Sequence, residues 1–346
     1  MLSAVLHEPN HLELVTRDVP EPGPGDVLLK IEATTLCGTD IRILDGSKTA
    51  GVRPGVVPGH EIAGRIAAVG DGVVGYAVGQ QATVSIVVSC NRCRACLNDR
   101  EHLCADLALF GYGIDGGLAE YMLVPADVVA KGNLMTTSVE IPPTTLALSE
   151  PVSCCLNGFD QYAAGPGDTV VILGAGPIGL LHTQLAARMA GARQIIVSNR
   201  SAARREAALV CGATHTVDPS ATDLAAFVRD ATDGAGADVV VVCIGGLDLA
   251  NVALDLAGIG GRVSYFAGFP KGSTAVMDPN LVHYKELVVT GGSNARRRDV
   301  RRAIAVLESG LIDAAPIVSH QFPLSDLFGA YDALKQRTGV KIAVLP

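Results

Sequence analysis

The sequence lacks the features that direct a protein to nucleic acid, into a membrane or out of the cell. It contains no run of basic residues, and its net charge of −8 disfavours binding to nucleic acid or to an anionic lipid surface. Its longest apolar runs, such as VVVVCIGG at 239–246, are far too short to cross a bilayer. The N-terminal stretch MLSAVLHEPNHLELV alternates like a β-strand and has neither the basic nor the long apolar segment of a signal peptide. We therefore expect a cytoplasmic protein with no nucleic-acid or membrane partner.

Disordered and repetitive segments are also missing. Hydrophobic residues make up 49% of the chain and charged residues only 18%, which is typical of a well-packed globular protein and not of a disordered one. The sequence shows no internal repeat and no low-complexity tract. At 346 residues the chain is too long for one compact core and is predicted to form two domains.

The pattern of apolar residues changes along the chain and predicts an α/β fold. Residues 1–152 contain short alternating runs such as DVLLKIEAT and HEIAGRIAAVG between Gly, Pro and Asp turns, which predict a barrel or a bent, mostly antiparallel sheet. In residues 153–292, apolar strands alternate with amphipathic helices, which predicts a doubly wound parallel sheet. Residues 293–346 contain one long helix and a closing strand, VKIAVLP, and we expect this segment to return to the first domain.

Four of the nine cysteines lie in the short stretch SCNRCRACLNDREHLC, residues 89–104. They are Cys90, Cys93, Cys96 and Cys104. In a reducing compartment four thiols at this spacing indicate a metal, and zinc accepts four cysteine sulfurs in a tetrahedron. An odd total of cysteines fits poorly with a full disulfide framework, although a chance cluster or a redox switch remains the alternative. A closed four-cysteine site has no open coordination position, so the predicted zinc is structural.

The loop Gly174-Ala175-Gly176-Pro177-Ile178-Gly179 has the G-x-G-x-x-G pattern of a dinucleotide-binding turn. It follows the strand TVVIL directly and opens a helix, which is the context that gives the pattern its meaning. Gly174 permits the tight turn, Gly176 lets a pyrophosphate approach the backbone, and Gly179 lets the helix lie close to the strand. The N–H groups at the start of the helix would then bind the phosphates. The alternative is a glycine-rich turn without a ligand.

The residues at the end of the next strand indicate which dinucleotide binds. An acidic residue normally accepts a hydrogen bond from the adenosine ribose at this place, but the strand QIIVS is followed by Asn199 and Arg200. Arg204 and Arg205 follow one turn later. Because arginine pairs with a 2′-phosphate and a carboxylate would repel it, we expect NADP(H) to be favoured over NAD(H). The alternative is that Asn199 binds a plain 2′-hydroxyl while Arg200 covers the adenine.

A second set of metal-binding residue types is spread over the first domain. Cys37 lies in CGTD just after a predicted strand, His60 and Glu61 follow PGVVPG, and Glu150 lies in ALSEPVSCC. Cysteine, histidine and carboxylate are ligands of a catalytic zinc that keeps one position open for water or substrate. Each element alone is more often core packing or a solvated turn, and the hypothesis depends on their combination with the two motifs above.

Together these motifs resemble the zinc-dependent medium-chain dehydrogenases and reductases, the superfamily of alcohol, sorbitol and threonine dehydrogenases. The resemblance extends over essentially the whole chain, through CGTD at 37–40, GHE at 59–61, the four-cysteine stretch, DGGLAEYMLVP at 115–125 and GAGPIG at 174–179. It implies a GroES-like β-barrel catalytic domain with a structural zinc lobe at 1–152, a Rossmann cofactor domain at 153–292 and a returning segment at 293–346.

The resemblance also assigns roles to residues. It implies that Cys37 and His60 are zinc ligands and that Glu61 or Glu150 supplies the oxygen ligand. The acid at Glu150, where the classical alcohol dehydrogenases have cysteine, points to the polyol and threonine branches. Thr39 matches the hydroxyl that passes the substrate proton outward.

Two further positions can be compared with the family. Lys341 resembles a basic residue near the cofactor phosphates. Many relatives have a relay histidine where this chain has Arg42, and an arginine cannot cycle a proton near neutral pH. The sequence therefore does not assign the group that takes the proton after Thr39.

The expected activity is hydride transfer between a secondary alcohol and NADP(H) or NAD(H), with one catalytic and one structural Zn²⁺. The substrate is expected to be a polyol, a sugar alcohol or a cyclitol, and the chain is expected to form a homodimer or homotetramer. The alternatives are an amino-alcohol dehydrogenase of the threonine type, a non-catalytic zinc and nucleotide binder, and a zinc-free enone reductase. Possible residues at the rim of the substrate pocket are Phe110, Tyr112, Glu120 and Asn157.

Overall fold

The computed structural model describes all residues from Met1 to Pro346. The chain forms two compact units. The first comprises Met1–Ser153, Asn294–Gly310 and Val318–Pro346, and the second comprises Cys154–Ser293 and Leu311–Ile317. Not one of the helices combines the length and the apolar character needed to cross a membrane.

Residues 311–317 belong to the second unit, so the segment 293–346 does not return to the first unit as one piece. The reason is a pair of hydrogen bonds between a buried glutamine of the second unit and this segment. The side chain of Gln184 donates to the carbonyl of Asp313 at 2.8 Å and accepts from its N–H at 2.7 Å.

The chain contains seventeen strands and eleven α-helices. The strands are β1 (Leu2–Glu8), β2 (His11–Thr16), β3 (Val27–Thr35), β4 (Glu61–Val69), β5 (Gln81–Val84), β6 (Val87–Val88), β7 (Ala108–Leu109), β8 (Tyr121–Val124), β9 (Leu134–Thr136), β10 (Thr169–Leu173), β11 (Gln194–Ser198), β12 (His215–Val217), β13 (Ala237–Val242), β14 (Ala257–Tyr265), β15 (Val288–Gly291), β16 (Val318–Pro323) and β17 (Lys341–Leu345). The helices are α1 (Gly38–Leu44), α2 (Ala126–Ala130), α3 (Pro143–Leu146), α4 (Ser149–Tyr162), α5 (Pro177–Gln184), α6 (Ala202–Val210), α7 (Leu224–Ala231), α8 (Leu249–Leu256), α9 (Pro279–Tyr284), α10 (Arg297–Glu308) and α11 (Leu327–Lys335).

The first unit is built on a mostly antiparallel sheet. Its strands are ordered β16-β17-β3-β4-β5-β9, and β8 pairs with β3. β3 is the central strand, and its inward-facing positions Val27, Leu29 and Ile31 are buried in an aliphatic core. The C-terminal strand β17 pairs antiparallel with β3, so the end of the chain completes this sheet. The predicted bent, mostly antiparallel architecture is confirmed.

The second unit contains a six-stranded, fully parallel sheet with the order β12-β11-β10-β13-β14-β15. This order, 3-2-1-4-5-6 within the unit, is that of the Rossmann fold and confirms the predicted doubly wound sheet. The central strand β10 is buried at every position, which explains its continuous apolar sequence TVVIL. Sequence periodicity extends the helix at 249 to residue 260, but the structure ends α8 at Leu256 because Ala257 already pairs with Ala237 of β13.

Candidate active site

Cys37 lies between the end of β3 and the start of α1, where hydrogen bonds fix its position. It is the N-cap of α1, and its backbone N–H donates to Oδ2 of Asp40 at 2.7 Å. Asp40 is only 1% exposed, so this carboxylate fixes the turn that presents the thiol. In the same helix, Nη2 of Arg42 donates to Oγ1 of Thr39 at 2.8 Å.

His60 precedes β4 and is buried beside the same aspartate. Its Nδ1 atom lies 3.1 Å from Oδ1 of Asp40, and its side chain is 4% exposed. Burial alone would lower the pKa of His60, but the Asp40 carboxylate outweighs burial and raises that pKa well above the ordinary value. Asp40 therefore contacts two candidate ligands. One oxygen accepts from the backbone N–H of Cys37, and the other lies at ion-pair distance from the His60 ring without a hydrogen bond. Sequence reasoning gave Asp40 no role, although an acid at the third position of a helix is a recognisable capping signal.

Glu61 is the first residue of β4, and it is 1% exposed. One of its oxygens accepts a hydrogen bond from Oγ1 of Thr35, and the other lies 2.5 Å from Nζ of Lys341. Burial disfavours the charged lysine, but the Glu61 carboxylate outweighs it and raises the pKa of Lys341. The structure thus places Lys341 in a buried ion pair with a candidate zinc ligand. Its predicted role at the cofactor phosphates stays a prediction.

Cys37, His60 and Glu61 form one candidate metal site. Their ligand atoms all lie within 4.8 Å of one another. A thiolate, an imidazole and a carboxylate converging in a buried place match the donor set of catalytic zinc. The cation would also compensate the negative charge that Cys37 and Glu61 bring together. Glu150 lies outside this set, in the first turn of α4, but its charge raises the pKa values of Tyr112 and Lys341.

A tyrosine and a lysine lie next to this set. The ring of Tyr112 packs against that of His60 at 5.6 Å between centroids, and Nζ of Lys48 lies 5.4 Å from the Tyr112 ring centroid. Of the other residues expected at the pocket rim, Phe110 is wholly buried in the aliphatic core and is not a rim residue. Oε2 of Glu120 accepts from the N–H of Leu2 at 2.6 Å.

The four-cysteine stretch folds into a cluster that fits a metal ion. Neighbouring sulfurs are separated by 3.4 Å (Cys90–Cys104), 3.5 Å (Cys93–Cys96), 3.8 Å (Cys93–Cys104) and 4.0 Å (Cys90–Cys96). These distances are too long for disulfides, and a tetrahedral zinc with Zn–S bonds of about 2.3 Å would place its sulfurs about 3.8 Å apart. Backbone N–H groups of Cys96 and Ala105 lower the pKa of Cys93 to about 6, which favours the thiolate that binds metal.

The lobe that carries these cysteines is anchored by the start of α10. The guanidinium of Arg297 donates to Oγ of Ser89 at 3.3 Å and to Oδ1 of Asn91 at 3.1 Å. The backbone N–H of Arg297 donates to Oε1 of Glu101 at 3.1 Å. Sequence reasoning missed this anchor because about 200 residues separate its two sides.

The glycine-rich loop of the second unit leaves room for a ligand at one position only. Gly174 has φ +107°, and a Cβ there would lie 2.3 Å from Ile244, while a Cβ at Gly179 would lie 1.8 Å from the carbonyl oxygen of Gly174. At Gly176 the only protein atom within 4 Å of such a Cβ is Nη1 of Arg204, at 3.9 Å. The fold therefore requires the first and third glycines, whereas the second keeps open the space that a pyrophosphate needs. Pro177 and Ile178 begin α5, whose N–H groups face this loop.

The polar residues after β11 divide into two groups. The side chain of Asn199 accepts from the N–H of Ala175 at 3.2 Å, which ties it to the glycine-rich loop. Arg205 is engaged structurally, with Nη1 bonded to the carbonyls of Asn199 and Arg200 and 3.0 Å from Oδ2 of Asp218. Arg205 is therefore not free to pair with a 2′-phosphate, although the sequence suggested that it could. Arg200 is exposed.

Comparison with known proteins adds to these observations. The model of the alcohol dehydrogenase GroES-like domain matches residues 23–134, and the model of the zinc-binding dehydrogenase matches residues 177–309. An L-threonine 3-dehydrogenase of Thermococcus kodakarensis is 36% identical over 340 residues, which cover 96% of this chain and 94% of that protein. The chain belongs to the zinc-dependent medium-chain dehydrogenases. The family suggested by the sequence motifs is thus confirmed.

Solved structures of this family show the same arrangement. A zinc-binding dehydrogenase of Sinorhizobium meliloti 1021, bound to NADP, is 34% identical with a TM-score of 0.91, covering 100% of this chain and 99% of that one. An alcohol dehydrogenase of Escherichia coli CFT073, in complex with NADH, is 27% identical with a TM-score of 0.90 and the same coverage. This medium-chain dehydrogenase is an enzyme that uses zinc and NAD(P) to oxidise an alcohol, on a GroES-like domain and a Rossmann-type sheet.

Proposed function

We propose that this enzyme oxidises a secondary alcohol of a polyol-type substrate to a ketone, or catalyses the reverse reaction, and that it prefers NADP(H). The observation that carries this proposal is the convergence of Cys37, His60 and Glu61 within 4.8 Å, with Thr39 two residues after Cys37 in the first turn of α1. We further propose that Glu150 serves the same site, as an alternative oxygen ligand to Glu61.

Residues of this chain would hold the metal, orient the substrate and move one proton. When bound, zinc makes the substrate hydroxyl more acidic, and the nicotinamide accepts the hydride. Asp40 faces Nδ1 of the His60 ring at 3.1 Å, which leaves the other ring nitrogen for the metal. Oγ1 of Thr39 receives the substrate proton. Because Arg42 already donates to that oxygen and cannot lose its own proton, the proton leaves Thr39 towards water.

The polyol assignment depends on the acid at position 150. A metal-binding cysteine is a thiolate whose sulfur is a weak acceptor, whereas a carboxylate has spare oxygens that accept hydrogen bonds from the neighbouring hydroxyls of a polyol. A second candidate is an amino alcohol of the threonine type. It is supported by the L-threonine 3-dehydrogenase to which the chain is 36% identical.

The preference for NADP(H) depends on the charges after β11. Asn199 is neutral, and its side chain faces the glycine-rich loop, so no carboxylate would repel a 2′-phosphate there. Nη1 of Arg204 lies near the open position at Gly176, and Arg200 is exposed beside it in sequence. The two family structures contain NADP in one case and NADH in the other, so the preference depends on this chain's own residues.

The remaining proposals concern the setting of the reaction. We propose that the enzyme acts in the cytoplasm as a homodimer or homotetramer, that residues 1–152 act as catalytic domain and residues 153–292 as cofactor domain, and that the segment 293–346 returns to the catalytic domain except at residues 311–317.

The decisive experiment is a panel of polyols, cyclitols and amino alcohols, assayed with NAD⁺ and NADP⁺ on protein with measured zinc content. We expect two zinc ions per chain and oxidation of a secondary alcohol in the panel. Chelation should abolish activity before it reduces stability, because only the four-cysteine site is structural. Zinc bound at the four-cysteine site alone, with no turnover of any alcohol, would contradict the proposal.

A further inference from the structure

Two cations lie beside the candidate zinc site without carboxylate partners. The guanidinium of Arg42 donates to the Thr39 hydroxyl, and the ammonium of Lys48 lies over the face of Tyr112, whose ring packs on His60. No carboxylate forms an ion pair with Arg42 or Lys48, whereas Arg53, Arg65, Lys131 and Lys341 of the same unit each form one. The chain therefore places two cations without a directly paired carboxylate beside the candidate zinc site.

The local backbone holds the two cations together. After α1 the chain turns back, so that the N–H of Lys48 donates to the carbonyl of Arg42 at 2.8 Å. Asp45, the acid between them in sequence, accepts instead from the N–H of Ser47 at 2.8 Å. Asp45 is thus bonded to the backbone and forms no ion pair with either cation, although its charge acts on Arg42 through space.

Keeping Lys48 charged at this place costs free energy. The residue is partly buried, and burial, followed by the charge of Arg42, lowers the pKa of Lys48 below its ordinary value. A cation–π contact with Tyr112 offsets some of this cost. An anion between the two cations would remove the repulsion and form charge-assisted hydrogen bonds with both.

We propose that Lys48 and Arg42 form an anion subsite, and that the substrate is a secondary alcohol that also carries a carboxylate or a phosphate. The inference rests on the proposed function, because it places the anion on the molecule whose hydroxyl reaches the zinc. Tyr112 sets the spacing, since its ring separates Lys48 from His60. The subsite thus selects substrates whose charged group is several bonds from the reacting carbon.

Three compounds with one carbon skeleton test the proposal. Galactitol is neutral, galactonate carries a carboxylate and galactitol 1-phosphate carries a phosphate. We expect kcat/KM for at least one anionic form to exceed that for galactitol, and Lys48→Met to raise the KM of that form about tenfold with little change for galactitol. Which form responds distinguishes a carboxylate from a phosphate. Lys48→Arg should restore much of the effect, since it restores the charge.

Two controls show whether the change in KM arises at the subsite. Lys271→Met removes an exposed lysine elsewhere in the chain and should leave all three KM values unchanged. The KM of the nicotinamide cofactor is measured in every variant. If Lys48→Met raises that KM and not those of the charged substrates, the anion belongs to the cofactor and the proposal is wrong. An equal loss for galactitol and its anionic forms would overturn it too.

A binding measurement keeps the test independent of turnover. Zinc-loaded protein with bound cofactor is titrated calorimetrically with butyrate, an unreactive carboxylate. We expect saturable binding that is weakened about tenfold in Lys48→Met and in Arg42→Gln. If no alcohol at all is oxidised, the proposed function fails, and this titration still decides the subsite. Butyrate binding that is absent, or unchanged in both variants, would overturn the inference.

Discussion

Lys341→Met removes one half of the buried ion pair at the candidate zinc site. Nζ of Lys341 lies 2.5 Å from Oε1 of Glu61, and the two side chains are 4% and 1% exposed. Methionine keeps most of the stem but leaves Glu61 as a buried carboxylate that retains only the hydroxyl of Thr35. Breaking a buried pair in this way costs about 3–5 kcal/mol of the free energy of unfolding, because the remaining charge is uncompensated.

The double variant Glu61→Gln/Lys341→Met separates this cause from lost packing. It removes the stranded charge, so it should be more stable than Lys341→Met alone. Lys131→Met is a matched control, since Lys131 forms an exposed ion pair with Asp127 at 2.9 Å. Such a pair contributes at most about 1 kcal/mol. Calorimetric unfolding is measured for the wild type and the three variants after chelation has removed the exchangeable zinc, so that no metal compensates Glu61. The transitions are assigned separately because the two units need not unfold together.

The same variant decides between two roles of Lys341. If the lysine binds the cofactor phosphates, as the family resemblance implies, Lys341→Met should weaken cofactor binding and change stability little. If it holds Glu61, the loss should appear in stability and zinc retention. A Lys341→Met protein that unfolds like Lys131→Met refutes the argument from burial.

Four further outcomes are expected. Replacing Asn199 with Asp and Arg200 with Ser should shift cofactor affinity from NADP⁺ to NAD⁺ by about one to two decades, and equal binding of both by the wild type in a titration would contradict the charge argument. Thr39→Val should keep zinc and cofactor but lose turnover, while Glu150→Ala should reduce zinc retention or activity about 10–100-fold, as metal analysis and kinetics will show. His182 is fully buried, and burial lowers its pKa from 6.5 to about 3. The unfolded chain therefore binds a proton that the folded chain does not, and the free energy of unfolding falls as the pH drops below 6.5, by about 2 kcal/mol at pH 5. His182→Phe should flatten this pH dependence in calorimetry. An unchanged slope in that variant would contradict the role of His182.

Local motifs were predictable because their chemistry is contained in a few neighbouring residues. The four cysteines lie within fifteen residues, so spacing alone predicted a cluster whose sulfurs the structure brings within 4.0 Å of their neighbours. The glycine-rich loop was recognisable because it connects a strand directly to a helix. Asp40, by contrast, received no role, since its partner His60 is twenty residues away and nothing in the sequence pairs the two.

Sheet topology explains why the contacts of Glu61 were beyond sequence reasoning. Thr35 of β3 lies opposite Glu61 of β4 and opposite Ala343 of β17, so three distant segments meet at one end of the sheet. Because β17 runs antiparallel to β3 and the N–H of Leu36 donates to the carbonyl of Ile342, the next step along this ladder brings Lys341 towards Cys37. A separation of 280 residues between Glu61 and Lys341 thus becomes a contact between the two strands that flank β3.

This arrangement has a consequence for how the site tolerates change. β3 carries Thr35 and leads into the metal-binding Cys37, while β4 and β17 each place one charged residue beside it. A one-residue slip of β17 against β3 would point Lys341 to the opposite face of the sheet, because side chains alternate along a strand. Glu61 would then be left with a buried, unpaired charge, which costs several kcal/mol. The ion pair therefore disfavours wrong registers of β17 against β3. The correctly paired C-terminal strand and the candidate zinc site thus stabilise one another.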